Sequence, residues 1–152
     1  MIYKFKSGTR LKVSAQAAGE LCAKLESQGK LTPHEVVEAS RPDDAPLHAA
    51  FEWNDNIAAE KYRETQAGYI IRSIEVVIEE ASEPTRAFQS IVITEGEREY
   101  REITRILSIQ SDREQLLAAA RHELAAFKRK YKVLEELAEV FAAIDRDAAY
   151  VA

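Results

Sequence analysis

The residues best suited to chemistry in this chain are two histidines that each precede a glutamate by four positions. His34 with Glu38 and His48 with Glu52 have the spacing that places two side chains on one face of a helix, where both can bind one metal ion. A zinc site needs a third and a fourth ligand, and no other residue is spaced to complete either pair. We therefore expect surface hydrogen bonds at these positions, and the sequence predicts no metal and no other cofactor.

Motifs of covalent or phosphate chemistry do not occur in the sequence. It contains no G-x-S-x-G elbow, no glycine-rich phosphate loop and no H-E-x-x-H zinc motif. The many carboxylates between residues 75 and 102 are expected on the solvated face of a strand hairpin. A protein without catalytic activity is therefore predicted, and an enzyme built from these scattered carboxylates is the least favoured alternative.

Positive charge is concentrated at two places in a chain whose net charge is −5. Residues 1–13 hold four cations and no acid, whereas residues 33–102 hold seven cations and sixteen acids. A second basic run, KRKYK, occupies positions 128–132. Because exposed cations bind phosphates, the two runs supply the candidate nucleic-acid contacts. These contacts are Lys4, Lys6, Arg10, Lys12, Lys128, Arg129, Lys130 and Lys132.

Each basic run has an alternative interpretation. A solvated basic face without any ligand explains the first run at least as well. The second run is followed by Glu135, Glu136 and Glu139, so in an antiparallel helix pair the basic run of one chain can face the acidic run of another. A partner helix is thus as good an interpretation of KRKYK as DNA.

The first basic run is predicted to form a β-hairpin over residues 2–13. With a loop at residues 7–9, all four cations fall on one face of the hairpin, and the apolar Tyr3, Phe5, Leu11 and Val13 fall on the other. A two-residue loop would mix the two faces, so this register is preferred. The apolar face would cover the core, and the basic face would remain available for phosphates.

A helical cluster is predicted after the hairpin. The expected helices cover residues 15–28, 33–40, 45–52 and 55–72, of which the first two begin at the N-caps Ser14 and Thr32. Together with the basic hairpin, the first two helices have the arrangement of a winged helix-turn-helix. Acids outnumber cations five to one over residues 33–52, however, and phosphate would repel them. We therefore expect the cluster to be packing architecture with Trp53 as a core anchor, and the last helix to present Tyr62, Tyr69 and Ile70.

The remaining elements are two central strands and one long helix. Strands are expected over residues 73–80 and 86–94, with a short third strand at 100–103. The capping sequence at Ser111 predicts a helix over residues 112–146 that is about 50 Å long. An apolar stripe with alternating spacings of three and four runs along this helix, which is the heptad pattern of a coiled coil. The large residues of the stripe are the predicted oligomer interface, and they are Leu117, Leu124, Phe127, Tyr131, Leu134 and Phe141.

The sequence therefore predicts an α+β fold in a single domain over residues 1–152, in which helix 112–146 carries a homodimer contact. The lone cysteine, Cys22, is expected to be a buried thiol on the apolar face of the first helix. No apolar stretch approaches the roughly 20 residues of a membrane span, and the charged N-terminus does not have the pattern of a signal peptide. A cytoplasmic protein without a membrane partner is expected.

Residues 31–74 resemble small proteins of unassigned function that phages and prophages encode. The resemblance rests on the Leu-Thr-Pro start, on Pro-Leu-His followed by Phe-Glu-Trp, and on the helix Ala-Ala-Glu-Lys-Tyr-Arg. It extends to LEELAEVFAAID at residues 134–145 and to the YKFKSG opening. The resemblance implies an accessory role in a bacterial host cell and brings no catalytic motif.

Taken together, the residues and the resemblance predict a non-enzymatic phage-type accessory protein. It would self-associate through its C-terminal helix and contact nucleic acid through the basic hairpin. The alternative is a structural or protein-binding module, such as an assembly factor or an inhibitor of a host protein, that does not bind nucleic acid.

Overall fold

The computed structural model describes residues 1–54, 57–78, 83–94 and 96–151, and it has the predicted α+β fold. The elements in chain order are β1 (Tyr3–Phe5), α1 (Ala15–Ser27), α2 (Pro33–Ala39), a 3₁₀ turn (His48–Ala50), α3 (Ile57–Ser73), β2 (Ile74–Val76), β3 (Thr85–Arg86), β4 (Phe88–Thr94), β5 (Glu97–Glu102), α4 (Ile103–Ser108), α5 (Gln110–Tyr131), a second 3₁₀ turn (Glu135–Leu137) and α6 (Ala138–Val151). One antiparallel sheet has the order β1-β2-β3, and a second consists of β4 and β5. None of the described helices has the length and apolarity needed to cross a membrane.

The chain divides into two compact units, Met1–Ile106 and Leu107–Ala152. We call the first the α/β unit and the second the helical unit. The boundary lies close to the predicted start of the C-terminal helix. Each unit is described by itself below.

The helices of the α/β unit begin where local capping chemistry places them. The Ser14 hydroxyl accepts a hydrogen bond from the backbone N–H of Ala17 at 3.1 Å, and the Thr32 hydroxyl accepts one from Glu35 at 3.2 Å. Pro33 occupies the first position of α2, where a missing N–H costs nothing. Both predicted N-caps are therefore confirmed. The predicted helix at 45–52 is wrong apart from the short 3₁₀ turn.

The core of the α/β unit lies between α1, α2, α3 and the strands. Its fully buried side chains include Cys22, Leu31, Val36, Leu47, Ile70, Ile71, Ile74, Phe88, Ile91 and Ile106. The Tyr3 ring lies so close to α1 that a Cβ on Gly19 would come within 2.1 Å of it. The same ring stacks on Phe88 with 6.3 Å between centroids. Burial raises the pKa of the Cys22 thiol to about 12, so the predicted buried thiol is confirmed and stays protonated at neutral pH.

The predicted hairpin over residues 2–13 is wrong, because the partner of the first strand is distant in the sequence. β1 pairs with β2, so that Tyr3 lies opposite Val76 and Phe5 opposite Ile74. A turn does follow β1, since Gly8 has a φ of 85° and Thr9 donates to the Lys6 carbonyl at 3.0 Å. Residues 10–13 then continue without forming a strand. The end of α3 leads directly into β2, which gives β1 a partner that also buries Tyr3 in the core.

The central hairpin exists, but with different strands from those predicted. β2 pairs only briefly with β3, where Glu75 lies opposite Arg86. The longer pair is β4 with β5, which join at a turn where Gly96 has a φ of 83°. The predicted short strand at 100–103 is therefore the end of β5. Positions 79–82, in and just after the predicted first strand, lie outside the described residues.

In the helical unit, the predicted single helix over residues 112–146 is wrong. The helix begins at Gln110, so Ser111 is not its cap, and it ends at Tyr131. Leu134 has an extended backbone with φ −88° and ψ 100°, after which the 3₁₀ turn leads into α6. Arg121 contacts Asp147 and Phe127 contacts Phe141, so α5 and α6 run antiparallel as a helical hairpin. Part of the apolar stripe therefore makes a contact between α5 and α6 of the same chain.

Candidate nucleic-acid interface

The four N-terminal cations lie in β1 and in the segment that follows it, and they do not form a hairpin. Lys4 lies on β1 opposite Glu75 of β2, and Lys6, Arg10 and Lys12 lie in the irregular segment that follows. All four side chains are exposed, and none forms an ion pair with a described residue. We call residues 4–12 the basic segment. Among the described residues, no carboxylate forms an ion pair with these cations, so we treat them as the candidate phosphate contacts.

The basic segment is fixed at the C-terminal end of α3. The backbone N–H of Lys6 donates to the Ser73 carbonyl at 2.7 Å, which anchors the start of the segment. After the turn at Gly8, Leu11 reaches a groove that α3 borders. The segment therefore returns along α3 and does not project away from it.

The groove beside the basic segment is aromatic, and we call it the tyrosine groove. It has a volume of about 390 Å³, and Leu11 and Ala50 line it together with Tyr62, Gln66, Tyr69 and Arg72 of α3. Tyr62 is 58% exposed and Tyr69 is 45% exposed, which is high for large aromatic side chains. The sequence analysis grouped both with Ile70, but only Ile70 is buried.

The spacing of residues on α3 explains this division. Ala67, Ile70 and Ile71 form the buried face of α3, so the tyrosines lie on a different face. Their separation of seven residues places both rings on one side of the helix. The sequence contains the signal for an aromatic stripe, but helical periodicity alone does not say which stripe covers the core.

The second basic run is partly neutralised within the helical unit. Lys128 forms an ion pair with Asp145 of α6, and Lys130 lies 5.1 Å from the centroid of the Tyr131 ring. Arg129 and Lys132 are exposed and have no ion pair with a described residue. Lys128 is therefore paired within its own chain, and the pairing of KRKYK with Glu135, Glu136 and Glu139 of another chain stays a prediction.

The predicted oligomer-interface residues fall into two groups. The Phe127 ring centroid lies 5.0 Å from that of Tyr131 and 6.3 Å from that of Phe141. Of these three residues only Phe141 is buried. The others, Leu117, Leu124 and Leu134, are exposed together with Val133 and Val140. Among the described side chains of the helical unit, Phe141 is the one large apolar group that is buried. The helical hairpin therefore leaves most of its apolar stripe uncovered.

The first histidine pair, His34 with Glu38, has different surroundings from those expected. His34 and Glu38 are joined by Glu60 of α3, and one ligand atom of each lies within 4.8 Å of the others. Sequence spacing could not reveal this third group, because it comes from another helix. Arg41 bonds Glu38 at 2.8 Å and Glu60 at 2.9 Å, and Arg63 bonds Glu60 at 2.9 Å.

Two guanidinium groups thus occupy the carboxylates that a metal ion would need. The hydrogen bond from Arg63, followed by that from Arg41, holds the pKa of Glu60 below its usual range. The hydrogen bond to Glu38, followed by that to Glu60, raises the pKa of Arg41. The geometry is that of an ion-pair network that joins α2 to α3.

Trp53 is half-buried at this network, so its predicted role as a core anchor is wrong. The Trp53 ring stacks on the His48 ring with 4.9 Å between their centroids. The Arg63 guanidinium lies 5.1 Å from the centroid of the Trp53 ring. The Trp53 indole N–H donates to the His48 carbonyl at 2.9 Å. Arg63 is buried and donates to the carbonyls of Glu52 and Asn54. These contacts fasten residues 48–54 to α3, next to Ala50 of the tyrosine groove.

Comparison of the chain with family models, with curated proteins and with solved structures found no match.

Proposed function

We propose that this protein is a non-enzymatic accessory protein of phage or prophage type that binds nucleic acid through its basic segment and self-associates through its helical unit. The resemblance of residues 31–74 to phage-encoded proteins supports the origin. The basic segment supports the nucleic-acid contact, and the uncovered apolar stripe of α5 and α6 supports self-association.

The observation that carries the nucleic-acid part is the set of four exposed cations that form no ion pair with a described residue. Elsewhere in the described structure, arginines such as Arg41, Arg63 and Arg105 are bound to carboxylates. Phosphates of a nucleic acid can pair with these cations without displacing any described carboxylate. Binding of this kind releases counterions and does not depend on base sequence.

The self-association part rests on the exposed apolar residues of the helical unit. A two-helix hairpin with one buried large apolar side chain lacks a core sufficient for stability. A second copy supplies the missing surface, because two such hairpins make a four-helix bundle. The turn also carries complementary charge, since exposed Arg129 and Lys132 stand next to exposed Glu135, Glu136 and Glu139. A twofold axis that brings two turns together places the cations of one copy beside the acids of the other.

The nucleic-acid part is tested with a variant in which Lys4, Lys6, Arg10 and Lys12 are all changed to Gln. We expect the parent to bind a mixed-sequence 20-base-pair duplex at about 50 mM salt with a slope of about −3.6 in log K against log salt, because four phosphate contacts form. The variant should lose nearly all of this affinity. A matched control changes Lys128, Arg129, Lys130 and Lys132 to Gln and should retain it.

Two outcomes would count against this assignment. Equal duplex binding by the parent and the Lys4 to Lys12 variant would place the contact elsewhere. Absence of binding by the parent at about 50 mM salt would remove nucleic acid as a ligand, and the protein-binding alternative would then take its place.

The self-association part is tested by introducing charge into the apolar stripe. Leu124→Glu should convert a dimer into a monomer in sedimentation equilibrium, because a carboxylate would be buried in the bundle without a partner. Ala119→Glu is the matched control, since Ala119 is exposed on α5 and lies outside the apolar stripe. A parent that sediments as a monomer, or a Leu124→Glu variant that remains a dimer, would contradict the proposed interface.

A further inference from the structure

We propose that the tyrosine groove is a binding site for the unpaired bases of single-stranded nucleic acid, which stack on Tyr62 and Tyr69 while the basic segment and Arg72 hold the phosphates. The inference rests on the proposed nucleic-acid contact and adds the kind of strand that is bound. It uses residues outside the basic segment and therefore makes predictions of its own.

Two exposed tyrosine rings on one face of α3 are the first observation. Folded proteins bury most of the area of large aromatic rings, yet here about half of each ring remains exposed. Neither hydroxyl group forms a hydrogen bond with a described residue, so no internal contact explains their position. Seven helical residues correspond to about 10 Å along the axis, so the two rings can receive different bases of one strand.

The charge around the groove is the second observation. Arg72 lines the groove, and Leu11, which also lines it, lies between Arg10 and Lys12 in the chain. Lys6 is anchored at Ser73, one residue after Arg72. No carboxylate is among the described residues that line the groove. Cations beside exposed aromatic rings are the combination that single-strand-binding proteins use, with bases on the rings and phosphates along the charges.

Gln66 gives a third observation that fits a base. Its side-chain oxygen Oε1 is buried, and no donor among the described residues bonds it. Gln66 also lines the groove, and its side chain as a whole is only half-buried. Rotation of the amide would let it hydrogen-bond the polar edge of a base.

A duplex does not use this groove, because its bases are already stacked and paired. A single strand presents flat base faces that the tyrosines can cover, and such stacking depends little on base identity. The basic segment alone would hold either form of nucleic acid through phosphates. The difference in affinity between single strand and duplex therefore reports on the groove itself.

The test measures fluorescence anisotropy of a labelled 20-nucleotide oligo(dT), an oligo(U) of the same length and a 20-base-pair duplex, at about 50 mM salt. We expect Tyr62→Ala/Tyr69→Ala to weaken binding of at least one single strand by about tenfold or more, because base stacking on an aromatic ring is lost at two positions. Duplex binding should change less than about twofold, because the phosphate contacts remain. Oligo(dT) and oligo(U) distinguish a DNA strand from an RNA strand.

Two control variants separate stacking from folding. Tyr62→Phe/Tyr69→Phe keeps both rings and should bind single strands like the parent. Tyr150→Ala removes a tyrosine that is 91% exposed in the helical unit, and it should also bind like the parent. Circular dichroism at the assay temperature should give the same helical signal for the alanine variant and the parent, which establishes that the variant is folded.

The outcomes distinguish the groove from the proposed function. If the alanine variant binds single strands as tightly as the parent, or loses single strand and duplex equally, the groove assignment is wrong and the basic segment alone carries the contact. If the parent binds duplex but neither oligo(dT) nor oligo(U) more tightly, the groove assignment is again wrong. If the parent binds none of the three, both proposals fail.

Discussion

The α/β unit and the helical unit differ most in how much apolar surface each one covers by itself. Nearly every buried apolar side chain of the described structure belongs to the α/β unit, from Tyr3 to Ile106. The helical unit buries Phe141 and leaves Leu117, Leu124 and Leu134 exposed. The α/β unit therefore has the core of an independent domain. The helical unit is expected to need a partner surface to reach a comparable stability.

The two units also differ in how far their cations are paired with carboxylates. In the helical unit, the cations Arg121 and Lys128 bind Asp147 and Asp145 across the hairpin. In the α/β unit, the cations of the basic segment form no ion pair with the residues that the structure describes. We propose that the groups each unit leaves uncovered indicate what it binds. The basic segment would then bind phosphates, and the apolar surface of the helical unit would bind a second copy.

The largest effect is expected from a phenylalanine-to-alanine change made once in each unit. Phe88→Ala should lower the free energy of unfolding of the α/β unit by about 3–5 kcal/mol, because a fully buried ring leaves a cavity. Trp53 is the only tryptophan and lies in the α/β unit, so its fluorescence during denaturation reports on that unit alone.

The matched change is Phe141→Ala in the helical unit. It should leave the tryptophan transition where it is in the parent, and it should reduce the helical signal in circular dichroism at low protein concentration. A shift of the tryptophan transition as large as that of Phe88→Ala would mean that the units unfold together, and the contrast between them would be lost.

The next effect comes from two arginines in different surroundings. Arg63 is 1% exposed, and replacing it with Met should cost about 2–3 kcal/mol, because the Glu52 and Asn54 carbonyls and Glu60 lose their donor. Arg121→Met in the helical unit should cost much less, as is usual for surface ion pairs. Urea denaturation measures both, and equal costs would contradict the proposed difference in burial.

A smaller effect tests how tightly β1 packs on α1. Gly19→Ala should destabilise the α/β unit by about 1–2 kcal/mol, because the new Cβ meets the Tyr3 ring, and this overpacking outweighs the gain in helix propensity. Gly68→Ala is the matched control on α3. Its Cβ meets only the flexible end of Arg72 at 2.9 Å, so this variant should gain about 0.5–1 kcal/mol. Thermal unfolding with the same sign for both variants would refute the close approach of Tyr3.

The smallest effect is the response of the helical hairpin to acid. The hydrogen bond from Arg121 holds the pKa of Asp147 below its ordinary value of 3.8. A lowered pKa stabilises the folded form above pH 3.8, and this stabilisation is lost as the pH falls through the folded pKa. Asp147→Asn should therefore flatten the acid dependence of the helical signal slightly. An unchanged acid titration of this variant would show that the ion pair contributes nothing.

Local features of the fold could be predicted from the sequence, and distant partners could not. The caps at Ser14 and Thr32 depend on residues within one helical turn, and both are correct. The turn after β1 is local as well and is present at Gly8. The partner of β1 is β2, about 70 residues away, and nothing in the first thirteen residues indicates it. The sequence alone therefore favours a local hairpin with well-separated faces over a strand pair between β1 and β2.

The prediction of a single C-terminal helix is wrong for a different reason. No glycine or proline occurs after Gly96, so the turn near Leu134 carries no residue that normally marks one. A heptad stripe also looks the same whether a helix packs on another chain or on its own continuation. In the candidate site, the cations were found by residue type. The tyrosines were missed, because the stripe of α3 that covers the core is decided by the strands and by α2.

The most direct test of the contrast between the units is hydrogen exchange of the full chain, followed by mass spectrometry from about 0.5 to 50 µM protein. We predict that α1 and α3 exchange equally slowly at every concentration, because the α/β unit is stabilised by its own core. The amides of α5 and α6 should exchange rapidly at the lowest concentration and become protected as the measured mass rises from 17.1 kDa to twice that value. Slow exchange of α5 and α6 at all concentrations, in a chain that stays at 17.1 kDa, would contradict the account.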